Sequence, residues 1–271
     1  EGSNSPADLL LTVDVGRLIS AVNAGVTKSV NSDVLSNAIP PQYRDSGGHW
    51  FGLGLRSRVI YYAPDRVNVA DLSTYEDLAD DKWRGKICIR SSTNIYNQSL
   101  LSSIISHHGA EVAEAWAAGV VANMGRDPQG GDTDQIKAVA AGECDISVGN
   151  TYYYARLLAS TDASNQEVTS KVKLFWPNQN DRGAHINISG ATVTKSSKNT
   201  ENAIKFLEFL VSEEAQKIYA EVVFEYPVRT GVGLSDILKG YGAFKADTID
   251  LETYAVRQAD AIRIFDRVGW R

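Results

Sequence analysis

The sequence predicts an α/β fold in which one lobe is inserted into another, with mostly parallel sheets. Short apolar runs alternate with helical segments along all 271 residues, the pattern of α/β proteins. Two long extended stretches, residues 50–62 and 185–194, bracket a segment that has strands and helices of its own. Breakers at Pro40-Pro41, Gly109 and Gly142 separate the elements.

Taken in order, residues 8–13 read as a buried strand and residues 15–24 as a short helix. Residues 50–62 alternate and are rich in β-branched and aromatic side chains, as a strand joining two lobes would be. A helix is expected over 75–83, a strand over 85–90, and a helix over 98–107 stopped by Gly109. An alanine-rich helix follows at Ala110–Asn123, then a loop, then a helix at Asp132–Ala141 ended by Gly142, a residue suited to a left-handed cap. A strand over 145–148 and a helix over 152–159 come next, with strands over 172–176 and 185–194. Thr200 can cap an amphipathic helix in which Ala203, Ile204, Leu207, Leu210 and Val211 share one face. Helices over 213–222 and 251–268 complete the chain.

Composition narrows the function. Hydrophobic residues at 43% and charged residues at 22% are those of an ordinary globular protein. A net charge of −6 with no dense run of Lys or Arg argues against a nucleic-acid partner. No apolar run approaches the length of a membrane span. The polar start Glu1-Gly2-Ser3-Asn4 is not a signal peptide and is what a processed chain would show. Of the two cysteines, Cys88 lies in the expected strand over 85–90 and Cys144 immediately before the one over 145–148. If those strands are parallel neighbours, the thiols lie level and can join; two buried free thiols fit the spacing equally.

Two strand-to-helix junctions carry the chemistry. Asn150-Thr151-Tyr152-Tyr153-Tyr154 follows the apolar run ending at Gly149, and Ser91-Ser92-Thr93-Asn94-Ile95-Tyr96 follows the run at 86–89. In open α/β sheets, ligands settle at such carboxyl ends of strands. A free phenol has a pKa near 10, but a trivalent cation favours its anion enough to displace the proton. The resulting phenolate is a hard oxygen donor suited to Fe³⁺. With four histidines and no thiol pair, phenol and carboxylate oxygens are the plausible donors. Adjacent residues diverge by about 100° on a regular helix, yet Tyr152 and Tyr153 can face one point at the irregular start of one. Against this stands the plain alternative of half-buried rings with wet hydroxyls.

Other motifs are weaker. His107-His108 sits at a helix end, where the dipole favours a cation, and His49 and His185 are single residues. Ser91 and Ser92 could hold an anion or simply cap a helix. No GxSxG, P-loop, GxGxxG or HExxH occurs, and no nucleophile is arranged with a base.

On several segments the chain resembles the periplasmic ferric-ion-binding proteins, the substrate carriers of iron ABC importers. They are Asn4-Ser5-Pro6-Ala7-Asp8, Arg56-Ser57-Arg58-Val59-Ile60, Tyr75-Glu76-Asp77-Leu78-Ala79, Trp83-Arg84-Gly85-Lys86, Asn150 to Tyr153, and Glu225-Tyr226-Pro227-Val228. The resemblance runs over essentially the whole chain and implies the type II two-lobed periplasmic binding protein fold, with two mixed sheets joined by crossing hinge strands. It assigns residues 1–39, 45–58 and 183–233 to one lobe and 59–182 with 234–271 to the other. It places the family's adjacent ligand tyrosines on Tyr152 and Tyr153. The Ser-Ser-x-Asn-x-Tyr context of Tyr96 is similar to the cyanobacterial branch, which uses a third tyrosine there. Arg56 and Arg156 match positions from which an arginine approaches the site, with Asn150, Ser91 and Ser92 beside it. The implied ligand is Fe³⁺ with a synergistic anion, and the implied partner is an ABC permease. The carrier would be a periplasmic monomer, neither an enzyme nor inserted in a membrane.

Two departures from the family pattern stand out. Where one branch carries a ligand glutamate, this chain has Val13, with Asp14 next to it. Family members also have a strand, helix and strand before the Asn4-Ser5-Pro6 position, so the resemblance implies that this segment is missing and the lobe with residues 1–39 incomplete. The readings set against the iron carrier are a binding protein of the same fold for an anion or small organic solute, and an enzyme on an α/β scaffold.

Overall fold

The computed structural model describes residues 4–271. The described residues form two compact units: one holds residues 4–56 with Asn187–Leu238 and Asp250–Ala255, the other Ser57–Ile186, Lys239–Ile249 and Val256–Arg271. In chain order the elements begin β1 (Leu9–Val13), α1 (Val15–Asn23), β2 (Thr27–Lys28), α2 (Asp33–Ala38) and β3 (Phe51–Tyr62). Next come β4 (Ile87–Cys88), α3 (Ile95–His108), α4 (Ala110–Asn123), α5 (Asp132–Ala141), β5 (Ile146–Asn150), α6 (Thr151–Leu158), α7 (Ala163–Lys171) and β6 (Lys173–Phe175). The chain closes with β7 (Ile186–Thr194), α8 (Thr200–Leu210), α9 (Glu213–Ile218), β8 (Tyr226–Pro227), α10 (Asp236–Gly240) and α11 (Glu252–Val268). The fold is mixed α/β, as the alternation of runs predicts.

In the first unit, β7 pairs antiparallel with β1 and β2, and β3 pairs with β8 through Gly54 and Leu55. Leu35, Leu53, Val193, Leu207 and Val211 form its core. The apolar face expected on α8 is buried there, through Ala203 and Leu207. Thr200 is the first residue of that helix rather than its cap, and its hydroxyl accepts from Lys28 Nζ at 2.8 Å. The cap residue is Asn199, and the turn that presents it is held from far away in sequence. The Asp8 carboxylate accepts from the backbone N–H of Lys198 and of Asn199, and from the Asn199 amide and Ser197 hydroxyl. The Asn199 bonds above all hold its carboxyl down at about 2. The strand that follows Asp8 is not buried as the sequence suggests: β1 is an edge strand, with Leu10 and Leu11 37% and 50% exposed.

In the second unit, β5 pairs antiparallel with β3 and parallel with β4, while β6 pairs antiparallel with β3. The expectation of mostly parallel sheets is therefore corrected. Among the paired strands of the described residues, β4 and β5 alone run parallel, because helices α3 to α5 supply the long crossover that parallel neighbours require. Ile60, Leu101, Ile104, Val120, Ile146 and Phe265 build the main core.

Three local differences have identifiable causes. The helix expected over 75–83 is two 3₁₀ turns, Glu76–Ala79 and Asp81–Trp83, parted by an extended Asp80. The Asn123 amide donates to the carbonyls of Leu78 and Asp80 and so stabilises the break. Helix α3 starts earlier than its apolar pattern, because the Asn94 side chain caps it by accepting from the Tyr96 N–H. Helix α7 carries no buried residue, so hydrophobic periodicity had nothing to signal.

Cys88 and Cys144 form a disulfide across the β4–β5 edge, with Cα atoms 5.8 Å apart. It closes a loop of 56 residues, which in the chain-entropy model stabilises the fold by about 4 kcal/mol. We expect the double variant Cys88→Ser, Cys144→Ser to unfold at clearly lower denaturant. A midpoint unchanged from wild type, in oxidising and reducing buffer alike, would contradict the staple.

Candidate functional site

The site forms where two strand ends of the second unit deliver their loops side by side. β4 leads through Arg90 and Ser91 into α3, whose first turn carries Tyr96; β5 runs without a gap into α6, whose first turn carries Tyr152 and Tyr153. The parallel register of β4 and β5, Cys88 opposite Ser147, is what sets both helix starts at one edge of the sheet.

The hydroxyls of Tyr152 and Tyr96 are 3.2 Å apart. Neighbouring on α6, Tyr152 and Tyr153 keep their ring centroids 4.3 Å apart with planes 35° from parallel. The two rings therefore do not splay as on a mid-helix surface, which is what the irregular helix start allows. Tyr152 is buried, Tyr96 and Tyr153 partly so.

Asn150 is the α6 cap residue, but its side chain serves the site instead of the helix. Its amide nitrogen lies 3.4 Å from the Tyr152 hydroxyl, and its oxygen accepts from Arg58 at 3.3 Å. Arg156, one turn on, sets its guanidinium carbon 4.9 Å from the centre of the Tyr152 ring and 5.9 Å from that of Tyr153. Ser91 acts as a local cap, accepting from the Thr93 N–H, and the Ser92 carbonyl accepts from Gln98. Arg56 lies in the first unit, where it donates to Glu225, Ser189 and the Ile188 carbonyl. Asp14 caps α1 there, accepting from the Gly16 N–H and the Asn187 amide.

Four further residues escape sequence reading. Arg58, Arg90 and Asp132 form a charge cluster in which Arg58 and Asp132 are buried and Arg90 partly so; Arg58 and Arg90 donate to Asp132 at 3.4 and 3.3 Å respectively, and Asn97 accepts from Arg58 at 2.8 Å. The guanidinium carbons of Arg58 and Arg90 lie 6.0 and 5.5 Å from the Tyr96 ring centre. Burial opposes the charge on Arg90, yet the Asp132 carboxylate and the Tyr153 phenol outweigh it and hold the guanidinium above its usual range. A signal existed: two arginines in an otherwise apolar strand, Leu55-Arg56-Ser57-Arg58-Val59-Ile60, imply buried partners.

A second set of tyrosines braces the loop. The Tyr61 hydroxyl donates to the Asn150 carbonyl at 2.7 Å and the Tyr241 hydroxyl to the Thr151 carbonyl at 3.3 Å. Tyr154 donates to Val172 at 2.6 Å, and its ring packs on Tyr61 and Tyr241. Burial pushes the Tyr61 phenol well up and Tyr154 up to about 12, so both stay protonated donors.

Histidine offers no rival centre. His107 meets Asp247 at 2.7 Å and His108 meets Glu76 at 2.9 Å. Among the described residues, no group of three or more His, Cys, Asp or Glu could hold a metal ion. His185 is buried, and its pKa is driven well below normal by that burial and by Arg58 and Arg182. Among the same residues, no helix is long and apolar enough to cross a membrane.

Chemically, the arrangement presents clustered phenols amid guanidiniums, a set that can take a hard trivalent cation as phenolates. Comparison with known proteins agrees in kind. Residues 4–245 match the family model of bacterial extracellular solute-binding proteins. The chain is 48% identical over its full length to iron uptake protein A2 of Synechocystis sp., covering 79% of that protein, and 47% identical to iron uptake protein A1, covering 75%. A solved structure of the Trichodesmium protein IdiA (FutA) with iron and citrate ligands superposes with a TM-score of 0.96. It is 54% identical over the whole of this chain and 86% of its own.

The brace has a pH signature. Because Tyr61 and Tyr154 titrate higher when folded than the unfolded value near 10, their contribution is complete below that value. It is lost as pH rises through about 12. Ultraviolet titration should therefore show a fraction of the tyrosines ionising only as circular dichroism is lost. Ionisation of all twelve near pH 10 with structure intact would contradict the brace.

Proposed function

Because this chain belongs to the bacterial extracellular solute-binding protein family, we propose that it captures ferric iron outside the cytoplasm and delivers it to an ABC permease. The observation that carries this reading is the 3.2 Å approach of the Tyr152 and Tyr96 hydroxyls, with the Tyr153 ring beside Tyr152. Tyr96, Tyr152 and Tyr153 are the ligands. Each gives up its proton to the ion's field, and three phenolates cancel the charge of Fe³⁺. No thiol or imidazole is required, which suits a hard cation.

Arg58, Arg90 and Arg156 carry three positive charges around the tyrosines, against one carboxylate on Asp132. Once the phenolates have neutralised the ion, that excess favours an anion in the remaining coordination positions. A carboxylate-bearing chelator of iron such as citrate fits this chemistry, with Arg156 placed over the ligand rings to meet it. The carrier works in the periplasm as a monomer, binding its cargo without transforming it. The disulfide between Cys88 and Cys144 accords with an oxidising compartment.

Adding ferric citrate to the protein should produce a visible phenolate-to-iron charge-transfer band at one iron per chain. Tyr152→Phe or Tyr153→Phe should remove or shift it, and Tyr96→Phe should weaken iron retention against a competing chelator. A colourless protein at stoichiometric iron, or bands indifferent to all three substitutions, would contradict the reading.

A further inference from the structure

We propose that Asp132 is the positioning residue that fixes the two tyrosine-bearing loops relative to one another. This rests on the tyrosine site proposed above and adds a part that the ligands themselves do not reveal. The two loops issue from different strands, β4 and β5, and no ligand tyrosine belongs to both. Asp132 sits beneath the pair at the first position of α5 and is fully buried.

One oxygen of its carboxylate accepts from the backbone N–H of Asn150 at 2.8 Å, the residue that opens the Tyr152–Tyr153 helix. The other accepts from Arg90 at 3.3 Å. Arg90 in turn interacts electrostatically with the Tyr153 phenol and lies 5.5 Å from the Tyr96 ring centre. Arg58 repeats the same bridge, donating to Asp132, to Asn97 beside Tyr96, and to Asn150. A buried carboxylate is costly unless it is fully paired. Here its partners lie in both loops, so satisfying Asp132 requires the loops to keep their register.

The surrounding sequence makes room for this. A Cβ on Gly149 would come within 2.9 Å of the Tyr61 ring and 3.2 Å of the Asp132 Cβ, so glycine permits the carboxylate to approach β5. The charge balance points the same way. With the ion neutralised by three phenolates, Arg58, Arg90 and Asp132 leave one net positive charge. Removing the carboxylate leaves two, directly beneath a bound trication.

The test compares Asp132→Asn with wild type and with Tyr152→Phe, using ferric citrate as the probe. Asparagine keeps the shape and an oxygen to accept from the Asn150 N–H but lacks the charge. The expected result is a ferric affinity about 10- to 100-fold lower, the range for losing a residue that orients metal ligands, together with a displaced charge-transfer band. A role confined to folding would lower the melting temperature and leave the band of the folded protein where it was. An affinity and band equal to wild type in Asp132→Asn, with Tyr152→Phe altered, would overturn the inference alone. If Tyr152→Phe also left the band unchanged, the tyrosine site and the inference would fall together. Should Asp132→Asn not fold, Arg90→Gln decides, since that side chain is 19% exposed and less critical to the core. It should lower affinity and shift the band, and wild-type behaviour there would overturn the proposal.

Discussion

Phenol oxygens can share one small trication only if the backbone brings them to a common point. A tyrosine side chain has two rotatable bonds, and repulsion between phenolates opposes any approach made by the side chains alone. The contact between the Tyr152 and Tyr96 hydroxyls therefore rests on parallel pairing of β4 and β5. The disulfide at their edge ties the strands covalently, and the helices they lead into start within reach of each other.

The tyrosines divide into two kinds by environment. Tyr61, Tyr154 and Tyr241 spend their hydroxyls on backbone carbonyls, and burial keeps the first two protonated. Tyr96, Tyr152 and Tyr153 lie among Arg58, Arg90 and Arg156. The same side chain thus serves as strut in one setting and, in the proposed site, as donor in the other. A fixed carboxylate among the guanidiniums keeps their repulsion in check.

Much of this was legible in the chain. The adjacent pair Tyr152-Tyr153 at a strand-to-helix junction, the recurrence of tyrosine at 96, and the helix stops at Gly109 and Gly142 are local signals that survive in the fold. Helices Ala110–Asn123 and Asp132–Ala141 stand where their patterns place them. What escaped is long-range: Arg58, Arg90 and Asp132 meet across separations of 74 and 42 residues, and no periodicity encodes such a meeting. The open edge of β1 escaped for a related reason. A run such as Leu9-Leu10-Leu11 states that apolar surface exists, not which side is covered. Of the two arginines two positions apart on β3, the sequence reading singled out Arg56 alone. The fold gives one to Glu225 and the other to Asp132 and the tyrosine loops.

The most direct test is an anomalous-scattering map of crystals of the iron-loaded protein. The account predicts one iron peak at bonding distance, about 2 Å for a hard oxygen donor, from the phenol oxygens of Tyr96, Tyr152 and Tyr153. An iron bound elsewhere, or held by one of these oxygens while the other two remain hydrogen-bonded and remote, would contradict it.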